Sequence, residues 1–99
     1  MKVFISQPMR DKTNEEILKE RDRAISRIYE KYHSVDVEIL DTFFKDAPHE
    51  AKPLWFLGKS LEILSNADLA YFIGDWRNYR GCLMEHMACI KYNIRTMED

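Results

Sequence analysis

Residues 68–73 are almost wholly apolar after an opening aspartate, and this run constrains the fold more than any other segment. A strand that is apolar on both faces is typical of the centre of a parallel sheet that is covered by helices. A polar loop with two arginines, residues 74–80, follows, and residues 81–92 then have a helical pattern. A strand followed by a loop and a helix is the repeating unit of the α/β class.

Three further segments have strand character. Residues 2–6 are rich in β-formers and end at a Gln-Pro pair, which predicts a first, buried strand. Residues 34–40 alternate apolar and polar positions, which predicts a strand at the edge of the sheet with one exposed face. Residues 94–97 predict a fourth strand.

The helices between the strands have recognisable starts. Thr13 and Glu16 have the spacing of a capping box, and apolar residues recur at helical spacing from there to Tyr32. Pro53 suits the first turn of a second helix. That helix would present an apolar stripe made of Leu54, Leu57, Leu61 and Leu64.

Strands that alternate with helices predict a small Rossmann-like three-layer α/β domain, with a mostly parallel four-stranded sheet and helices on both faces. At 99 residues, the chain has the length of one domain, spanning residues 1–99. Such a domain has room for one core, so a small binding site would be built from loops or shared with a partner subunit.

The composition argues against several functional classes. A formal net charge of -2, from 15 basic and 17 acidic residues, gives no electrostatic case for binding nucleic acid or an anionic membrane. No run approaches the roughly 18 apolar residues of a membrane span, and the N-terminus has strand rather than signal-peptide character, so we expect a cytoplasmic protein.

Cys82 and Cys89 lie about 10 Å apart along one predicted helix, too far for a disulfide. They are expected to be core residues; only His86 lies nearby as a further ligand, so we expect neither a metal nor a cofactor.

Three loops should meet at the carboxyl edge of the parallel sheet: residues 6–12, 41–52 and 74–80. Arg10, Arg77 and Arg80 could hold a phosphate or carboxylate, aided by backbone amides near Gly81, although each alone could equally be an ordinary surface arginine. The polar and aromatic residues that these loops would bring to one crevice are Ser6, Gln7, Arg10, Asp41, His49, Asp75, Trp76, Arg77, Asn78 and Arg80.

Glu85 is the candidate catalytic carboxylate. A position in the first turn of a helix would favour its ionised form through the helix dipole, as a nucleophile or electrostatic stabiliser requires. The alternative is a first-turn acid with no further role. Its neighbours on the same helical face are small and would allow close approach of a ligand: Gly81, Cys82, Ala88 and Cys89.

Aromatic and histidine side chains have simpler interpretations. His49 and His86 are interpreted as surface histidines rather than catalysts, and Trp55 and Phe56 as core or interface groups. Trp76 is also interpreted as a core or interface group, although it lies in a loop where a nucleobase could stack.

With its first strand ending in a polar loop, a later strand opening in Ala67-Asp68, and a helix start that carries Gly81 and Glu85, the chain resembles the nucleoside 2-deoxyribosyltransferase superfamily. The resemblance spans nearly the whole chain and is greatest to short, phage-associated members of unassigned function. It implies that Glu85 attacks the anomeric carbon of a deoxynucleoside or its 5′-monophosphate and forms a covalent glycosyl-enzyme intermediate.

The chain departs from the pattern of active members at three positions. Leu83 and Met87 stand where those members usually have glycine, and Ser60 stands where they have an aspartate that orients the sugar or protonates the base. Asp41 or Asp75 could supply that acid from another loop.

Three functions remain open. The first is N-glycosidic bond cleavage or deoxyribosyl transfer, with Glu85 as nucleophile, the arginines on a phosphate, and Ser6 on the sugar or phosphate. The second is a non-catalytic module that captures a nucleoside or nucleotide, and the third is a structural or interaction protein. Short length and the resemblance together predict a homodimer or homotetramer, formed through the aromatic-rich second helix around Trp55 and Phe56.

Overall fold

The computed structural model describes residues 1–42, 44 and 46–99. Its four strands form one parallel sheet in the order β2-β1-β3-β4, where β1 is Lys2–Ser6, β2 is Glu38–Ile39, β3 is Leu69–Phe72 and β4 is Arg95–Glu98. The central pair, β1 and β3, is in register from Val3 opposite Leu69 to Ser6 opposite Phe72. The predicted central position of the third strand is therefore confirmed.

Within the described residues, three α-helices join the strands: α1 is Asn14–Lys31, α2 is Pro53–Leu64 and α3 is Arg80–Lys91. The capping box predicted at the start of α1 is present, because the Thr13 hydroxyl accepts from the Glu16 amide and the Glu16 carboxylate accepts from the Thr13 amide, each at 3.1 Å. Proline occupies the first turn of α2, as predicted.

Successive residues of a strand point to opposite faces of the sheet, so β1 and β3 contribute to two separate apolar layers. One face is covered by α1, and its buried cluster contains Val3, Ile5, Ala24, Ile28, Leu69, Tyr71 and Ile73. The other face is covered by α2 and α3, and its cluster contains Phe4, Leu64, Ala70, Phe72, Trp76, Cys82 and Cys89. The predicted three-layer Rossmann-like α/β fold is confirmed.

Two elements differ from the prediction. The second strand has only two residues instead of seven: β2 pairs with β1 only opposite Lys2 and Val3, and Val35 in the segment before it is exposed. Leu54, expected in the apolar stripe of α2, is 73% exposed, whereas Leu64 at the other end of that helix is buried. Helical periodicity identified the stripe, but only part of it packs on the sheet.

Both cysteines lie in the core, as predicted, with free thiols. Burial raises the pKa of each thiol to about 11, so neither is a ready nucleophile at neutral pH. In residues 1–42, 44 and 46–99, no helix is long and apolar enough to cross a membrane.

Candidate functional site

Glu85 lies on the face of α3 that packs against the sheet. Cys82 and Cys89, three residues before it and four after it, are buried on the same face, and their small side chains allow the helix to approach the strands closely. Only 8% of the Glu85 side chain and backbone surface is exposed. Among the described residues, Glu85 and Ser6 are the only polar or charged side chains that are buried to this degree.

Two serine side chains lie beside the Glu85 carboxylate. Ser6, the last residue of β1, donates from its hydroxyl to Oε1 of Glu85 at 2.6 Å, and this bond is buried. Ser60 of α2 lies near enough to the carboxylate to lower its pKa. The end of the first strand, the second helix and the third helix therefore meet at one carboxylate.

The protonation of Glu85 differs from the expectation. Helix α3 begins at Arg80, so Glu85 lies in the second turn, beyond the first turn in which a helix dipole acts strongly. Burial raises the pKa of the carboxyl from its ordinary 4.5 to about 6, and the hydrogen bonds from Ser6 and Ser60 oppose this rise. The expected dipole-driven preference for the ionised form is wrong, because desolvation dominates.

Two clefts have Glu85 in their lining. The larger, about 690 Å³, lies between the starts of α2 and α3, and its lining includes Lys52, Leu54, Leu57, Arg80, Gly81 and Met84. The smaller, about 390 Å³, lies at the end of β1, and its lining includes Met9, Thr42 and Phe44. Both linings contain Gln7, Phe56, Ser60 and Glu85. These four residues form a wall common to both clefts, which we call the shared wall.

Gln7 of the shared wall is held in one orientation. Its Nε2 donates to the carbonyl oxygen of Ile17 in α1 at 2.6 Å, and only the nitrogen of the amide can do so. Its Oε1 is buried, and no hydrogen-bond partner for it is found among the described residues. A buried acceptor without a partner is costly, by about 1–3 kcal/mol.

The structure brings together four of the predicted ligand-binding residues with Glu85. Ser6 contacts the carboxylate directly, Gln7 lies in the shared wall, and Arg80 and Gly81 line the larger cleft. The first loop and the start of α3 therefore converge as expected, because both follow the carboxyl ends of the two central strands.

Arg10 and Arg77 have other partners. The Arg10 guanidinium lies 5.6 Å from the centre of the Tyr79 ring. Arg77 pairs with Glu98 at 3.1 Å and stacks 4.3 Å from the Trp76 ring. Neither arginine is among the described residues that line the two clefts. Of the three arginines predicted to meet there, only Arg80 is found in a described lining.

Trp76 is 3% exposed and stacks on His86, with ring centres 4.3 Å apart and planes 26° apart. It is therefore a core residue rather than a platform for a base.

Asn78 is exposed in the 3₁₀ turn Trp76–Asn78, and Asp75 is exposed and lies 3.7 Å from the Lys12 ammonium. Asp41 and His49 are also exposed. In the described linings of the clefts, none of these side chains stands beside Glu85.

Ser60 and Phe56 belong to the site and were missed as ligand-binding residues. Ser60 has a sequence signal, because it follows Leu57 by three residues and precedes Leu64 by four, which puts a hydroxyl on the apolar face of a helix. Phe56 has no such signal in the sequence. An aromatic residue beside Trp55 in a helix, with Phe44 in the preceding loop, is equally consistent with core packing. The contact of the Phe56 ring with Phe44, at 6.4 Å between centres, joins residues twelve positions apart and depends on the fold.

This arrangement can perform one kind of chemistry readily. A carboxyl with a pKa of about 6 is mostly ionised at pH 7.5, so it can serve as a nucleophile, and because its pKa lies close to neutrality it can also exchange a proton. The Ser6 hydroxyl orients one carboxylate oxygen, and both clefts give access to the group.

No protein-family model, no curated protein and no solved structure matches this chain.

Proposed function

We propose that this chain is a cytoplasmic protein that binds a nucleoside or nucleoside 5′-monophosphate and acts on its N-glycosidic bond, by hydrolysis or by transfer of the deoxyribosyl group. The observation that carries the proposal is the buried Glu85 carboxylate, held by Ser6 at 2.6 Å on a wall common to two clefts. A carboxylate in that position can reach a bond whose two halves occupy different clefts.

In the proposed reaction, an oxygen of ionised Glu85 attacks the anomeric carbon of the sugar. The bond from that carbon to the base nitrogen breaks, its electron pair stays on the base, and the base takes a proton from water. A glycosyl ester of Glu85 forms. Water then releases the sugar in a hydrolase, or the nitrogen of a second base takes it in a transferase, and either step regenerates the carboxylate.

The resemblance to the nucleoside 2-deoxyribosyltransferase superfamily supports this reaction, because the family's nucleophile corresponds to Glu85 and a family glycine to Gly81. The position where active members have an aspartate is Ser60, which lies beside Glu85 and lowers the pKa of its carboxyl. The proposal therefore assigns the Ser60 hydroxyl to orienting the nucleophile rather than to protonating the base.

A base-release assay tests the proposal. The wild-type protein is incubated with 2′-deoxynucleosides and their 5′-monophosphates at millimolar concentration, and free base is measured chromatographically. We expect release that Glu85→Gln abolishes and that the matched surface variant Glu62→Gln leaves unchanged. An absence of release across the panel, or equal rates in wild type and Glu85→Gln, would contradict the catalytic proposal.

A non-catalytic nucleotide-binding module is the second candidate. It is favoured by one observation: among the described residues that line the clefts, Glu85 is the only carboxylate, so no second acid assists the leaving base. This function predicts that nucleotides raise the melting temperature of the protein without any release of base. The third candidate, a purely structural or interaction protein, predicts no such shift.

A homodimer or homotetramer remains part of the proposal. Phe56 of the predicted contact helix is 40% exposed, whereas Trp55 is half-buried. Apolar side chains on the outer face of α3 enlarge the exposed apolar surface: Leu83, Met84, Met87 and Ile90. Light scattering at micromolar concentration should give a mass above 11.9 kDa per particle; a monomer alone would contradict this part of the proposal.

A further inference from the structure

The two clefts beside Glu85 have different charge. Two basic residues line the larger cleft: Lys52, the N-cap of α2, and Arg80, the first residue of α3. Among the described residues that line the smaller cleft, Glu85 is the only ionisable side chain. An anionic group would therefore be attracted to the larger cleft, and an uncharged group would be accepted in the smaller one.

Aromatic side chains form part of the smaller cleft and of the shared wall. The rings of Phe44 and Phe56 lie 6.4 Å apart between centres, and both contact the Trp55 ring edge-on, at 6.2 and 5.1 Å. Trp55 therefore holds the two phenyl rings in a defined arrangement. Together with Met9, they provide an apolar surface against which a flat group can pack.

Both cleft volumes, about 690 and about 390 Å³, lie within the usual range of sites for small molecules, roughly 300–1,000 Å³. Because the clefts have the shared wall in common, one ligand that extends across this wall can enter both. Ser60 and Glu85 line both clefts, so a ligand that extends into both would contact them.

Resting on the proposed function, we propose that the two clefts are separate subsites for the two ends of one nucleotide. The uncharged base lies in the smaller cleft against Phe44, Phe56 and Met9, and the 5′-phosphate lies in the larger cleft beside Lys52 and Arg80. The sugar then crosses the shared wall, and its bond to the base passes Glu85. Lys52, Phe44 and Met9 thereby become specificity-determining residues.

Calorimetric titration with three probes tests this assignment: 2′-deoxyadenosine, its 5′-monophosphate, and 2-deoxyribose 5-phosphate. The titrations use full-length protein carrying Glu85→Gln, so that no probe is consumed. Arg80→Gln should weaken binding of the two phosphorylated probes about 10- to 100-fold, the effect expected for one charge-assisted contact, and should change nucleoside binding less than two-fold. Arg95→Gln is the matched control. Arg95 lies on the edge strand β4, away from the clefts, and its replacement should change the binding of none of the three probes.

The base subsite is tested with Phe44→Ala. Loss of the ring should weaken the nucleoside and the monophosphate equally, by about 5- to 100-fold, and should leave 2-deoxyribose 5-phosphate unchanged. Met9→Ala is the second variant. The Met9 side chain is exposed, so its truncation should leave the fold intact, and it should weaken binding of the nucleoside and the monophosphate as Phe44→Ala does.

The outcomes separate this inference from the proposed function. If Arg80→Gln weakens the nucleoside as much as the monophosphate, or if both Phe44→Ala and Met9→Ala fold and leave nucleoside binding unchanged, the subsite assignment is wrong although nucleotides bind. If none of the probes binds, the assignment and the proposed function are both wrong. If the expected split is seen but wild-type protein releases no base, the assignment stands and the catalytic proposal fails.

Discussion

Replacing Glu85 by glutamine should stabilise the fold at alkaline pH, and the gain should disappear in acid. In the folded protein, burial raises the pKa of the carboxyl from 4.5 to about 6. The unfolded chain keeps the ordinary value. Between pH 4.5 and 6 the folded state therefore holds a proton that the unfolded state has released, and wild-type stability falls as the pH rises through this window.

The magnitude follows from the size of the pKa shift. A rise from 4.5 to about 6 is equivalent to about 2 kcal/mol, at about 1.4 kcal/mol per pKa unit. Glutamine is nearly isosteric and uncharged, its carbonyl oxygen can still accept from Ser6, and its amide can donate to the Ser60 hydroxyl oxygen. We therefore expect Glu85→Gln to be more stable than wild type by about 2 kcal/mol at pH 8 and equal to it below pH 4.5.

Urea denaturation followed by circular dichroism, at intervals from pH 4 to pH 8, measures this difference. Thermal denaturation should show a rise of roughly 8 to 16 °C at pH 8 for a domain of this length. Glu62→Gln, on the exposed face of α2, is the control and should change the free energy of unfolding by less than about 0.5 kcal/mol at every pH. A difference that is independent of pH, or a Glu85→Gln protein less stable than wild type at pH 8, would refute the reasoning.

Three further changes test the packing and the caps. Asp99→Asn should lower the free energy of unfolding by about 1–3 kcal/mol at pH 7, because the Asp99 carboxylate accepts hydrogen bonds from the Tyr71 hydroxyl and the Gly74 amide. Burial raises the pKa of this carboxyl, but the two hydrogen bonds and Arg23 outweigh burial and lower it, so denaturation curves should show the difference vanish as the pH falls below 4. Leu64→Ala should cost about 2–5 kcal/mol by chemical denaturation, whereas Leu54→Ala, at an exposed position on the same helix, should cost less than about 1 kcal/mol; equal losses would contradict the packing of α2. Thr13→Ala should cost about 0.5–2 kcal/mol by the same measurement through loss of the capping box, and an unchanged midpoint would show that this cap contributes nothing.

Local patterns predicted much of the fold. The first strand, Lys2–Ser6, is found at the predicted residues, because β-formers end there at a Gln-Pro pair that cannot continue the ladder. The capping box at Thr13 and the proline at the start of α2 mark helix starts through groups within a few residues of each other. The second strand is shorter than its alternating pattern suggests, because it pairs only with Lys2 and Val3 of β1, and no local pattern contains that contact between distant segments.

Part of the site was also predictable, because its residues lie next to strands that the sequence identifies. Ser6 ends the central strand β1, and Arg80 and Glu85 lie in the helix that follows the central strand β3; parallel topology brings such positions to one edge of the sheet. Arg77 also satisfies that rule, yet its guanidinium turns to Glu98 and to the Trp76 ring. A long side chain has several partners within reach, and sequence spacing does not choose between them.

The sequence by itself determined the order of strands and helices, the helix starts and the candidate carboxylate, since these follow from periodicity and from interactions within a few residues. The tertiary structure alone decided the chemical state of Glu85. Its pKa depends on how much water the surrounding elements exclude and on hydroxyls that approach from β1 and α2. The packing of three distant elements around one carboxylate sets that balance, and no local pattern contains it.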